Sequence, residues 1–378
     1  MGKAFFVYIF SRFWLNFGNF SQKKYTLPML LVCVLFILIL ALGAFEAISH
    51  TQHVNSVSLR ILVNGTRGKT TVTRQLYSSL SSCGKTVLAK TTGSEARLIY
   101  PDGHEEPLKR RFGYHLIREH YNFFALASKL GVDAVVVECC AVSPESQLLM
   151  AQKLVRPTCS IITNARVDHV DQMGSTIEST ADVLKLSVPT GASFYTSDIF
   201  FNSDTQATVV EGGNEELVQK VMTDLGYKTC TVKSYTPDIG LVGPFKIGTL
   251  LIVNAFAAND KESASEVLAQ YAGQDYVVLY NNRADREFRV PYFASLFKEK
   301  DVKQVIVLGE HVDKCVRFFS KQLPEAMVEG FKGPTNNLIS YLKTKNCRVV
   351  LGMGNIKGSG TELIQYCIEQ TSKEANNA

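Results

Sequence analysis

The sequence predicts an α/β protein with a parallel sheet, set behind one membrane-spanning helix. Three observations carry this expectation. Short runs dominated by Val, Ile and Leu recur along the chain, as in parallel strands covered on both faces. Segments of helical length separate them. A charge-free apolar stretch at residues 27–45 precedes them all and is long enough to cross a hydrocarbon layer of ~30 Å.

Length and composition narrow the classes. The 378 residues accommodate an anchor and two domains of ordinary size. The expected division is a membrane anchor at 1–49, a central nucleotide-binding domain at 50–242 and a smaller C-terminal α/β domain at 243–378. The second boundary falls around the run IGLVGPFKIG, where glycine and proline cluster ahead of a new apolar strand. Residues 50–58 read as a polar linker, and only the tail at 371–378 reads as disordered. Basic residues number 40 against 35 acidic ones, and the net charge of +5 is spread along the chain, which excludes a nucleic-acid partner. The nine cysteines form no CxxC pair or metal-type spacing, so reduced, cytosolic thiols are expected.

The apolar stretch is too long for a signal-peptide core and lacks the polar face of a soluble helix, so it reads as a single-pass membrane anchor. Its orientation sets two rules against each other. Lys3, Arg12, Lys23 and Lys24 precede the span and Arg60 is the first Lys or Arg after it, which by charge alone puts the remainder outside the cell. A nucleotide site requires the cytoplasmic face. The aromatic stretch at 4–18 reconciles them if it lies in the interface or forms half of a hairpin.

Strands are expected at 59–63, 134–138, 160–163, 249–254, 276–280, 304–308 and 348–351, with a short one at 86–89. Directly after the first comes Asn64-Gly65-Thr66-Arg67-Gly68-Lys69-Thr70-Thr71, and then a helix-compatible segment. Strand, glycine loop, lysine, hydroxyl and helix together make a phosphate cradle. Glycines turn backbone N–H groups toward phosphate oxygens, and the helix adds its positive N-terminal end. Lys69 reaches the β- and γ-phosphates, and Thr70 offers a hydroxyl to Mg²⁺. The expected nucleotide is ATP, held by Gly65, Thr66, Arg67, Gly68, Lys69, Thr70 and Thr71. Val63 stands where the standard P-loop has its first glycine, so the match is to a shorter loop.

Other candidates sit at strand ends, where ligands of open α/β sheets collect. Glu138 closes the strand 134–138 and is an expected Mg²⁺ ligand, against the alternative of a solvated strand-end carboxylate. Asn164, Arg166, Asp168, His169 and Asp171 follow the strand 160–163. Chemistry alone leaves open whether Asp168 or His169 meets metal, because Mg²⁺ prefers oxygen. Lys90, Thr91 and Thr92 follow the strand 86–89 and, with Arg97, suit the carboxylates of an acidic substrate. Arg283, Asp285 and Arg286 crowd the end of the strand 276–280, where the guanidiniums suit phosphate or carboxylate.

The blocks ILVNGTRGKTTVTRQL, AKTTGSEARLIY, VVECCAVSPESQ, IITNARVDHVDQMGST, VNAFAANDKES, NNRADR and GMGNIKGSG run in order from about residue 58 to 362. Together they resemble the poly-γ-glutamate synthase subunit of the CapB/PgsB family, membrane-anchored relatives of the Mur ligases. The resemblance implies a Mur ligase-like fold and an ATP-dependent amide ligase that polymerises glutamate through γ-linkages by way of an acyl phosphate. The other readings are a Mur-like ligase for a different amino acid and a membrane-tethered ATPase supporting export. By resemblance, Lys69, Thr70 and Glu138 serve the phosphates and a first Mg²⁺, His169 ligates a second, and Asn254 and Asp260 contact nucleotide or serve domain closure where the C-terminal domain begins. Mur ligases carry a carbamylated lysine about one helix beyond that histidine. Lys185 is the candidate here, against an ordinary surface lysine. The implied partners are glutamate, the polyglutamate chain, a multipass membrane subunit of the CapC/PgsC type and possible further export subunits. The implied location is the cytoplasmic face of the bacterial plasma membrane.

Overall fold

A computed structural model describes residues 26–93, 96–108, 116–227, 243–258, 261–345 and 347–376. Two compact units result, one ending with the helix at Asn55 and the other running from Ser56 onward. The helix Thr26–Asn55 spans 30 residues, or about 45 Å at 1.5 Å per residue. Its Leu, Ile and Phe side chains between Leu30 and Phe45 are exposed, so by length and composition it is a candidate membrane span. It continues ten residues past the expected end of the anchor's apolar stretch at 45 and takes in most of the expected linker, because 46–55 contains neither glycine nor proline to stop it.

The second unit holds two sheets. Strands β1 (Leu59–Asn64), β2 (Val87–Thr91), β3 (Arg97–Ile99), β4 (Glu105–Pro107), β5 (Ala134–Glu138), β6 (Cys159–Ile162), β7 (Ser193–Thr196) and β8 (Ala207–Val209) form the first, in the order β4-β3-β2-β5-β1-β6-β7-β8. Its centre is parallel, with Leu59 opposite Ala134 and Ile61 opposite Cys159. Only the β2–β3–β4 edge is antiparallel. Strands β9 (Phe245–Ile247), β10 (Leu250–Asn254), β11 (Tyr276–Asn282), β12 (Gln304–Gly309), β13 (Met327–Gly330) and β14 (Val349–Gly354) form the second, in the order β13-β12-β11-β14-β10-β9. There only β9 runs antiparallel.

The eight expected strands are all present, within a few residues at their ends. The additional ones, β3, β4, β7, β8, β9 and β13, are short and lie at or toward sheet edges, where partial solvation permits mixed composition and erases the apolar run. Phe245–Ile247 pairs with β10 inside the segment expected as a boundary. Residues 228–242 of that region lie outside the described residues.

Burial explains why the central strands are continuous apolar runs. Every residue of β5 is buried, including Glu138. Ile61, Val63, Val136 and Ile161 pack beneath Val72, Leu76 and Leu80 of the helix Lys69–Ser82. Truncating Leu76, fully buried, costs about 2–5 kcal/mol by the usual cavity effect. That packing anchors the helix whose first turn faces the site. In the second sheet, Tyr280, Phe293, Phe297 and Phe319 form an aromatic cluster, with Tyr280 and Phe319 edge-on at 5.1 Å. It fixes the end of β11 from below. Seven described cysteines are free thiols. Cys83 is disulfide-bonded, a departure from the expectation of reduced thiols throughout.

Candidate active site

Asn64 ends β1 and moulds the loop after it. Its carboxamide oxygen accepts from the Gly65 N–H at 2.9 Å, while its Nδ2 donates to Gln147 and to Ser187, each at 2.9 Å. Gly65 has φ +123°, and a Cβ there would lie 2.2 Å from Thr163 Oγ1. Only glycine lets the loop lie this close to the end of β6. Asn164 then shapes the turn: its Oδ1 accepts from Thr66 Oγ1 at 2.6 Å and from the Arg67 N–H at 3.0 Å. Gly68, at φ +81°, delivers the chain into the helix Lys69–Ser82. No side chain caps that helix, so its first N–H groups and the positive end of its dipole are presented to whatever occupies the loop.

Lys69 arches back over this loop, its ammonium donating to the Gly65 carbonyl at 2.6 Å. Thr70 Oγ1 donates to Glu138 Oε2 at 3.0 Å, and the same carboxylate oxygen accepts from the Thr92 N–H at 2.8 Å. Glu138 is 2% exposed, a buried carboxylate held by neutral donors. On the other flank Arg67 pairs with Asp168 at 3.5 Å. His169, left-handed at φ 46° and exposed, heads the short helix Val170–Met173.

These groups border a cavity of about 520 Å³ whose opposite wall comes from the second sheet. Arg283, Arg286, Arg289, Asn355, Ile356 and Lys357 line that wall. Arg283 pairs with Asp285 at 2.8 Å, and Arg289 donates to Asn355 Oδ1 at 3.0 Å. The Arg289 guanidinium is held below its ordinary pKa, chiefly by burial and then by the like charge of Arg286; Asp168 opposes this and Arg67 adds to it. Charges from the two sheets therefore act on one another across the cavity.

Of the candidates read from sequence, Gly65, Thr66, Arg67, Gly68, Lys69, Thr70, Thr71, Thr92, Glu138, His169, Arg283 and Arg286 converge on the cavity. Others do not. Lys90 is fully buried and pairs with Glu119 at 2.5 Å, with His120 Nε2 at 3.2 Å. It faces the protein interior and is not available to a substrate. Thr91 is buried beside it. Arg97 lies on β3, next to the edge strand β4, 3.8 Å from Glu105, and neither Asp285 nor Asn254 lines the cavity. Asp260 lies outside the described residues. Lys185 ends its helix with the ammonium 2.6 Å from Asp204, away from the cavity.

Arg289, Asn355, Ile356 and Lys357 were not read as site residues. The signals were there: Arg289 continues the run that holds Arg283 and Arg286, and Asn355 to Lys357 sit between the glycines of GMGNIKGSG.

Mg²⁺ retains several waters and binds through one or two carboxylates plus phosphate oxygens. Thr70 and Glu138, two oxygen donors 3.0 Å apart beside the glycine loop, fit that requirement. Among the described residues no group of three or more His, Cys, Asp or Glu side chains is arranged to hold a metal, so phosphate and water oxygens must complete any shell.

Residues 63–186 match the Mur ligase middle domain, and residues 242–370 match the C-terminal domain of poly-gamma-glutamate synthase CapB. The chain is 28% identical over 392 residues to PGA synthase CapB of Bacillus subtilis (strain 168), covering 92% of this chain and 99% of that protein. It is 27% identical over 384 residues to capsule biosynthesis protein CapB of Bacillus anthracis, covering 90% and 82%. Among solved structures, folylpolyglutamate synthase from Thermotoga maritima superposes with a TM-score of 0.59 at 13% identity, over 86% of this chain and 93% of that one. MurF ligase from Thermotoga maritima in complex with ADP gives 0.57 at 13% identity, over 89% and 84%. At such identity these two speak for the fold alone. Both sheets, the glycine loop and the family matches together support a CapB/PgsB-like protein of Mur ligase type, an ATP-dependent, amide-bond-forming ligase.

Proposed function

We propose that this chain lengthens poly-γ-glutamate, and that the observation carrying this reading is the opposition of the Thr70–Glu138 pair to a wall of arginines across one cavity. The loop from Gly65 to Thr71 receives the triphosphate of ATP, with Lys69 leaving the Gly65 carbonyl for the β- and γ-phosphates. Arg283 and Arg286 take the carboxylates of the acidic substrates, where planar guanidiniums suit two-point contact. The γ-carboxylate of the acceptor attacks the γ-phosphorus, ADP departs, and an acyl phosphate results. The amine of the incoming glutamate then attacks the acyl carbon, phosphate leaves, and the amine loses a proton to solvent.

Two anions and a triphosphate repel one another, so the positioned cations and the helix N-terminus are the main contribution of the protein. Thr70 and Glu138 would hold a Mg²⁺ ion, with His169 a candidate ligand of a second; bound there, the ion supplies charge neutralisation at the phosphates. The walls from the two sheets keep water from the acyl phosphate. The helix Thr26–Asn55 anchors the enzyme in the plasma membrane with the ligase on the cytoplasmic side, where ATP is available. There it would work beside a multipass subunit of the CapC/PgsC type.

The test is phosphate release by the full-length chain in native membranes, with and without glutamate and a γ-glutamyl primer, with mass analysis of the product. Release that requires glutamate and yields a γ-linked oligomer is expected, and Lys69→Ala should abolish it. Glutamate-independent turnover without a new amide would replace this reading with a tethered ATPase, and turnover demanded by another amino acid would change the substrate.

A further inference from the structure

The cationic wall has one member mounted differently from the rest. Arg283 faces an acid of its own loop, Asp285 at 2.8 Å. Arg289 has Asn355 as its sole hydrogen-bond partner among the described residues, through Nη1 at 3.0 Å. A guanidinium has five N–H donors in a fixed fork, so most of this one remains to be satisfied. Its surroundings are mixed: Arg286 and Arg67 disfavour the charge, while Asp168, already paired with Arg67, and to a lesser extent Tyr280 favour it. A partly buried guanidinium with two like charges nearby is completed by an added anion.

Asn355 is in turn held by a buried construction. Asn281, fully buried near the end of β11, donates Nδ2 to the carbonyl of Asn355 and to that of Lys357 at 2.9 Å. Its own carbonyl accepts from the Asn355 N–H at 3.1 Å. Two glycines permit this closeness. A Cβ at Gly354, φ +96°, would lie 2.6 Å from the Asn281 carbonyl, and one at Gly360 would lie 2.9 Å from the Asn355 carbonyl. The 355–357 segment is thus clamped onto β11, and its one free side-chain oxygen is spent on aiming Arg289.

We propose that Arg289 binds a carboxylate of the acidic substrate, and that Asn355 and Asn281 are the residues that position it. This rests on the ligase reading above. It assigns substrate contact to a third arginine and makes the GMGNIKGSG run a mount for that contact. The carboxylate belongs either to the incoming glutamate or to the end of the growing chain, two sources of the same chemistry.

The experiment uses full-length chain in native membranes, with glutamate and a short γ-glutamyl primer titrated separately and ADP binding measured alongside. Arg289→Gln is expected to raise KM for one acidic substrate by ~10-fold or more, the scale of a lost charged hydrogen bond, with ADP affinity within about twofold of wild type. The substrate whose KM rises identifies the source. Arg289→Lys keeps the charge without the fork and should recover only part of the loss. Asn355→Ala should raise the same KM by a smaller factor, and this carries the test if Arg289→Gln does not fold. Unchanged KM values in Arg289→Gln, or an equal loss of ADP affinity, would overturn the assignment. Wild-type membranes without glutamate-dependent turnover would remove the ligase reading and this inference with it.

Discussion

Thr70 donates its hydroxyl to Glu138 across 3.0 Å, although the two stand 68 residues apart in sequence. The contact ties the first turn of the helix after the glycine loop to the C-terminal end of the neighbouring strand. Parallel pairing of β1 with β5, Val63 opposite Glu138, makes it possible. In such sheets adjacent strand ends form one edge, and the residues just past them share it.

Glu138→Gln keeps the shape of the side chain and an oxygen for the Thr92 N–H while removing the charge. Turnover should fall by roughly 100-fold or more, in the range of other losses of preorganised electrostatic stabilisation, with the melting temperature near wild type. Steady-state phosphate release and a thermal melt decide it; retained turnover would remove Glu138 from the mechanism.

Gly65→Ala should fail through the backbone. The position has φ +123°, and the new methyl would meet Thr163 Oγ1 at 2.2 Å, so either the loop or the end of β6 must move. We expect nucleotide affinity to drop by ~10-fold or more and stability by about 1–3 kcal/mol. Calorimetric titration with ADP and a denaturant melt measure both, and normal affinity would show that the loop tolerates a side chain.

Lys185→Met should leave kcat and KM within about twofold, since exposed substitutions away from special features change little. The ammonium is 46% exposed at the side chain, so the pair with Asp204 contributes under ~1 kcal/mol. That contribution has a definite pH dependence. The hydrogen bond from Lys185 holds the Asp204 carboxyl below its ordinary pKa, so it is present above the usual carboxylate range near ~4 and is lost as pH falls through the lowered value. Denaturant melts at pH 7 and pH 3 should show the gap between wild type and variant shrinking in acid. A collapse of kcat in Lys185→Met would instead restore a catalytic role.

Cys139 and Cys140 both border the cavity, but Cys140 is half-buried whereas Cys139 is 2% exposed and burial pushes its thiol up to about 12. Maleimide should therefore label Cys140 first, with Cys139 reacting only on unfolding. Saturating nucleotide should slow the Cys140 reaction. Peptide mass analysis after timed labelling reads both, and equal rates for the two cysteines would contradict the burial of Cys139.

The glycine loop was legible because its residues are contiguous: glycines, lysine and threonine in one stretch behind an apolar run. Glu138 was legible by place, as the polar residue closing a buried strand. Lys90 was misleading for a related reason. It too ends an apolar run, but it is fully buried, where Glu119 of the helix Leu116–Leu130 neutralises it. No periodicity in the sequence says which face of a strand carries the cavity when both are covered.

By itself the sequence determined the α/β class, the apolar helix ahead of it, the loop from Gly65 to Thr71 and Glu138, since each of these is written in local composition or in the end of an apolar run. Tertiary structure alone decided that Arg289, Asn355 and Lys357 face this loop across a cavity, that Lys90 is interior and that Lys185 belongs to Asp204. The physical reason is that a charged side chain takes its role from the partners and burial that distant strands bring to it. Parallel sheets assemble those partners from segments tens of residues apart.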